Sequence, residues 1–111
     1  MLFILKTVIC VLTAATGAFS VFFPQSTVSF TGLQPVGGRG ISEIRAVLGG
    51  LFVVLGCAPL FLKGETYRML GWAYLGIALV RSISIVLDKS SVQSNWISLA
   101  VEIVFGIVLV L

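Results

Sequence analysis

Arg81 and Glu102 are the residues of this chain best placed to do chemistry, because each stands inside a long apolar stretch. A charge at the bilayer centre costs about 2.5–3.5 kcal/mol on insertion scales, so such residues face the protein interior and pair. Arg81 precedes Asp88 by seven residues, and Glu102 follows Asn95 by seven. At helical rise, each lies about 10 Å beneath the same membrane surface. On consecutive antiparallel helices they come level, and a salt bridge is expected. Glu43 and Arg45 enter from that side at the start of another apolar stretch. The expectation is one neutral, hydrogen-bonded network of Glu43, Arg45, Arg81 and Glu102, with Asp88 at its rim.

Such a cluster could do three kinds of work. Two arginines could hold a carboxylate or phosphate bidentately. Intramembrane carboxylates could carry protons. Glu43 or Glu102 could serve as general acid or base on a lipid. The carboxylates already satisfy the arginines, so a cluster that only fixes register and helix order is the simpler reading. Histidine is absent, which removes His-ligated haem or zinc and the usual general base. No catalytic residue, metal or cofactor is expected, and the chain reads as a non-enzyme. Cys10 and Cys57 read as small buried apolar residues rather than a disulfide. Leu55-Gly56-Cys57 matches a lipoprotein cleavage box only by chance, since it falls inside an apolar run. The GGRG of 37–40 lacks the Lys-Ser/Thr pair of a phosphate-binding loop and reads as a flexible loop.

The elements that must hold these residues are apolar spans. The chain has 111 residues, 59% of them hydrophobic and only 10% charged, where a soluble domain carries about 25%. Mean hydropathy is +1.18. A soluble domain and a disordered chain are both excluded. Seven basic residues are scattered rather than striped, so no nucleic-acid partner is expected. The reading is a single all-α domain over 1–111, a polytopic membrane protein with four transmembrane helices in an up-down bundle. The helices are expected at about 2–23, 44–62, 67–87 and 96–111. The first imitates a signal peptide, with Lys6 followed by an apolar run and Ala14, Ala15, Gly17 and Ala18. Its length favours a retained span. Residues 24–43 read as a polar loop, in which 26–30 alternates as a short strand or an interfacial segment would. Ser42 is a candidate N-cap, with Glu43 at the positive helix end. Trp96 and Tyr67 suit the membrane interface.

Each span carries a stripe of small or polar residues at helical spacing. The stripes are Lys6-Cys10-Thr13-Gly17-Ser20, Arg45-Gly49-Phe52-Gly56-Pro59, Gly71-Tyr74-Ala78-Arg81-Ile85-Asp88 and Ser98-Glu102-Gly106. Gly17, Gly49, Gly56, Gly71, Ala78 and Gly106 are the expected helix-packing residues. Basic residues divide evenly, Lys6, Lys63 and Arg68 on one side against Arg39, Arg45 and Lys89 on the other. Discounting Arg45 as buried tips the count towards cytoplasmic termini.

The pattern Glu43-x-Arg45, Gly49-Gly50, Gly76, Arg81, Asp88 and Glu102 resembles a bacterial family of small four-helix membrane proteins known as a domain of unknown function. The resemblance covers roughly residues 41–106. It implies a four-helix membrane fold with those charges grouped, and brings no activity, substrate or cofactor. The chain departs from the family after Asp88, where Gly would be expected and Lys89 stands. The expected role is an accessory or structural subunit of a larger respiratory or photosynthetic membrane complex. The protein would lie in a bacterial-type inner membrane, plasma or thylakoid-like, against lipids and against other membrane chains or copies of itself. The alternative is a transporter or a lipid or small-molecule binder using the Arg/Glu cluster.

Overall fold

A computed structural model describes the backbone of residues 1–111 and every side chain except those of Ser29 and Phe30. The protein is all-α, with no strand among the described residues. Four helices are long and apolar enough to cross a membrane: α1 (Leu2–Phe22), α2 (Gly37–Leu62), α3 (Glu65–Leu87) and α4 (Gln93–Val110). The chain is therefore a membrane protein, and this order of spans is compatible with an up-and-down bundle. It clusters into two compact units, Thr7–Leu62 and a second made of Met1–Lys6 with Lys63–Leu111.

Within residues 7–62, α1 lies antiparallel on α2. The buried face of α1 is Ile9, Cys10, Thr13, Gly17 and Ser20. The Thr13 and Ser20 hydroxyls donate to the carbonyls of Ile9 (2.8 Å) and Thr16 (3.0 Å) one turn back, so these polar groups are satisfied within their own helix. Backbones touch at the glycines. A Cβ added to Gly17 would sit 2.5 Å from the Val53 nitrogen, and one added to Gly56 would sit 2.4 Å from the Ala14 nitrogen. Gly49 packs on the Val21 side chain, with the Val21 nitrogen 3.1 Å from where a Cβ would sit.

Helix α2 departs from expectation at its start. It begins at Gly37 rather than near 44, so GGRG forms its first turn instead of a loop. A glycine costs a helix about 1 kcal/mol. Extension of a committed membrane helix satisfies backbone groups that would otherwise lie bare near lipid, which outweighs that cost. Arg39 and Glu43, one turn apart, pair along the added segment at 3.1 Å. Ser42 is thus inside the helix and caps nothing; the residue before the helix is Val36, in extended conformation.

A π-helical stretch follows at Ile44–Gly50. It takes one more residue per turn than an α-helix. The residue beneath Gly49 on the buried face is consequently Ile44, five positions back, and Arg45 is turned to the exposed surface. The orientation argument that discounted a buried Arg45 therefore lapses, and the basic count returns to level. The 26–30 segment is helical rather than a strand. A 3-10 turn at Pro24–Thr27 runs into the single turn Val28–Thr31, and Gly32, at φ 74°, closes it. The Thr27 hydroxyl donates to the Pro24 carbonyl (2.7 Å) and reinforces the local coil.

In the other unit, α3 and α4 form an antiparallel hairpin. A Cβ on Gly71 would fall 2.9 Å from the Val110 nitrogen, and Gly106 meets Leu75. Ala78, Ile85 and Leu99 form a buried cluster beside them. At the N-terminus of the chain, the Lys6 ammonium lies 5.9 Å from the centre of the Tyr67 ring. The hairpin turn depends on Lys89, which sits at φ 51°. There the chain reverses so that the Ser90 N–H can donate to the Ile85 carbonyl (3.1 Å), a bond that closes the end of α3. A left-handed residue at this place is ordinarily glycine, and a side chain there is strained by about 1 kcal/mol. Lys89→Gly is therefore expected to raise stability by about 0.5–1 kcal/mol, read from unfolding in detergent.

Candidate functional site

The α3–α4 hairpin brings two of the expected charged residues together. Asn95 and Glu102 lie two turns apart on α4 and share one face, which α3 covers. Glu102 is buried, at 8% exposure. Both of its carboxylate oxygens accept from Arg81. The Arg81 Nε lies 2.8 Å from Oε1 and 3.0 Å from Oε2, and Nη2 lies 2.8 Å from Oε2. This side-on fork is the strongest hydrogen-bonding geometry an arginine can offer a carboxylate. It also fixes how far α3 and α4 slide along each other.

The third member is Asn95, whose Oδ1 accepts from Arg81 Nη1 at 2.7 Å. Its Nδ2 donates to the Ser90 carbonyl at 3.0 Å. The turn thus orients the amide, and its oxygen is left for Arg81. By sequence, Asn95 stands just before the expected fourth helix at 96–111. The signal for its role was the spacing of seven from Glu102, which puts both on one helical face. Asn95→Ala should lower stability by about 1–2 kcal/mol, less than loss of either charge, because Arg81 keeps Glu102. Unfolding of the purified variant in detergent would check this.

Glu43, Arg45 and Asp88 have local surroundings of their own. Glu43 pairs with Arg39 on its own helix, with both side chains more than half exposed. The early start of α2, absent from the sequence reading, supplied that partner. Arg45 is exposed on the π-helical stretch and belongs with Glu43 to the unit of residues 7–62. Asp88 accepts a hydrogen bond from the Ser84 hydroxyl one turn earlier on α3. Within one unit the described pairings are thus Arg81–Glu102–Asn95 and Ser84–Asp88, and within the other Arg39–Glu43.

Arg81 is the open member of its cluster. Its side chain is 31% exposed, against 10% for that of Glu102. A guanidinium has five N–H donors. Three are engaged, through Nε, Nη1 and Nη2, which leaves two. Arg81 also lines a cleft of about 470 Å³, together with Gly76, Ile77, Val80, Ser84 and Asn95. The site can thus lock two helices and present hydrogen-bond donors to a cleft with apolar walls. Among the described residues, no group of three or more His, Cys, Asp or Glu is placed to hold a metal ion.

No curated protein and no solved structure matches the chain. A family model does, over residues 1–111, and the chain belongs to the family described as a domain of unknown function (DUF4345).

Proposed function

We propose that this protein is a non-catalytic accessory or structural subunit of a larger membrane assembly, respiratory or photosynthetic in type, in a bacterial-type inner membrane. The observation that carries this reading is the saturation of Glu102. Its two oxygens both serve the bridge to Arg81, which favours a fixed strut over a group that exchanges protons or attacks a substrate. The spans support it further. Only 22% of the residues in each spanning window are buried within the chain, so lipid or other chains must cover the rest. The links Lys63–Gly64 and Asp88–Val92 are short, and the longer link between Phe22 and Gly37 holds only two single turns. Contacts with other chains, or with copies of itself, would run mainly through the membrane-embedded faces. Extraction in a gentle detergent, with mass spectrometry of what co-migrates, tests the reading. A stoichiometric partner or oligomer is the expected result, and a chain that always migrates alone would overturn it.

A second reading, a binder of a lipid or small molecule, is favoured by one specific observation. Arg81 keeps two N–H donors and lines an open cleft. Lipid and small-molecule mass spectrometry on the same preparation tests it.

A further inference from the structure

We propose that the cleft beside Arg81 binds the carbonyl oxygen of an apolar molecule, either the acyl ester of a membrane lipid or a free lipophilic ketone or quinone. This inference rests on the second reading above and names its ligand class. A carbonyl oxygen carries two lone pairs, and Arg81 has two N–H groups that no described residue engages. Charge argues for a neutral ligand. Arg81 and Glu102 already cancel, so an anion would bring net charge into a low-dielectric site. The Ser84 hydroxyl, also on the cleft, gives its proton to Asp88 and has none for an anion. The Asp88 carboxylate beyond it would repel one.

The walls suit an apolar body. Ile77 and Val80 are both exposed. A Cβ added to Gly76 would meet nothing within 4 Å, so a flat group can lie directly on the helix backbone there. Depth agrees as well. Arg81 is six residues inside the end of α3 at Leu87, about 9 Å along the helix, where water competes poorly for the donors. A carbonyl there receives charge-assisted hydrogen bonds that lipid tails cannot supply.

The test uses the full chain in lipid nanodiscs and a benzophenone with an alkyl tail, whose carbonyl is both the hydrogen-bond acceptor and the photoreactive group. After irradiation, adducts mapped by peptide mass spectrometry should favour Ile77 and Val80 by about tenfold over Leu79 and Val86, although these two, at 64% and 77% exposure, are more open than Ile77 at 37%. An unlabelled alkyl quinone in excess should suppress them. Gly76→Leu, which fills the cleft where there is open space, should reduce them to background. The competition arm needs only the native chain, so the test stands even if the variant folds poorly. Nanodiscs of diether lipid separate the two sources. A rise in labelling without lipid esters identifies a lipid ester as the resident ligand, and an unchanged yield identifies a free carbonyl compound. Adducts spread evenly over α3, or indifferent to competitor and to Gly76→Leu, would overturn the proposal. So would cross-links from the cleft to another chain. An alkyl phosphate carrying a diazirine is the control: if it labels the cleft and the ketone does not, the carbonyl assignment fails while the binder reading stands. If neither labels it, both fail.

Discussion

Replacing Arg81 with alanine is expected to lower the stability of the protein by about 3–5 kcal/mol, the cost of stranding one member of a buried ion pair. The reason is what remains. Glu102 would keep a side chain only 10% exposed, with no other donor among its described partners once the Arg81 fork is gone. Glu102→Ala should cost less, about 2–3 kcal/mol, because Arg81 retains Asn95 and is 31% exposed. The order of the two losses is thus a prediction in itself. The double variant Arg81→Met, Glu102→Leu should recover most of the loss, since apolar residues of similar volume often replace a buried pair at little cost. Unfolding followed by circular dichroism in mixed micelles would measure all three. Single and double variants of equal, mild effect would mean that the bridge does not hold α3 to α4.

That bridge was legible in the sequence because it depends on two quantities that do not vary: the rise of a helix and the antiparallel course of a hairpin. Counting from Asp88 and Asn95 is enough to bring Arg81 level with Glu102. The same logic failed for Arg45 because its premise was an unbroken α-helical repeat. The π-helical stretch at Ile44–Gly50 adds a residue to the turn and puts Ile44 where Arg45 was expected. Nothing in the local propensities of IRAVLGG announces that extra residue. The start of α2 was hidden for a related reason. Four residues that include three glycines read as a loop by intrinsic preference, but the helix behind them is long, and a membrane helix gains by extending. Lys89 is the converse case. The family pattern leads one to expect glycine after Asp88, and the left-handed backbone there gives the physical reason. The stripe residues Cys10, Thr13, Gly17 and Ser20 are all buried, because α1 is regular throughout and its spacing carries through without a break.

The glycines of the two helix pairs should divide sharply by what faces them. Gly56→Ala and Gly17→Ala are each expected to cost about 2–3 kcal/mol, at the upper end for overpacking. At Gly56 the new Cβ would fall 2.4 Å from the Ala14 nitrogen and 2.6 Å from the Cys10 oxygen. At Gly17 it would fall 2.5 Å from the Val53 nitrogen and 2.7 Å from the Gly49 oxygen. These are backbone atoms, which cannot turn aside as a side chain can, so α1 and α2 must separate. Gly106 is milder, because its two nearest neighbours are side-chain atoms of Leu75 at 2.6 Å, which has other rotamers, while the nearest backbone atom, the Gly71 oxygen, is at 3.1 Å. Gly76→Ala has the opposite sign. Its Cβ meets nothing, so the change keeps only the helix-propensity gain of about 0.5–1 kcal/mol. A pair of variants at Gly17 and Gly56 carries the argument furthest. Once the first substitution has parted the helices, the second finds room, so the double variant should cost less than the two single losses added together. Strict additivity, or a Gly56→Ala variant as stable as Gly76→Ala, would show that the two backbones do not meet.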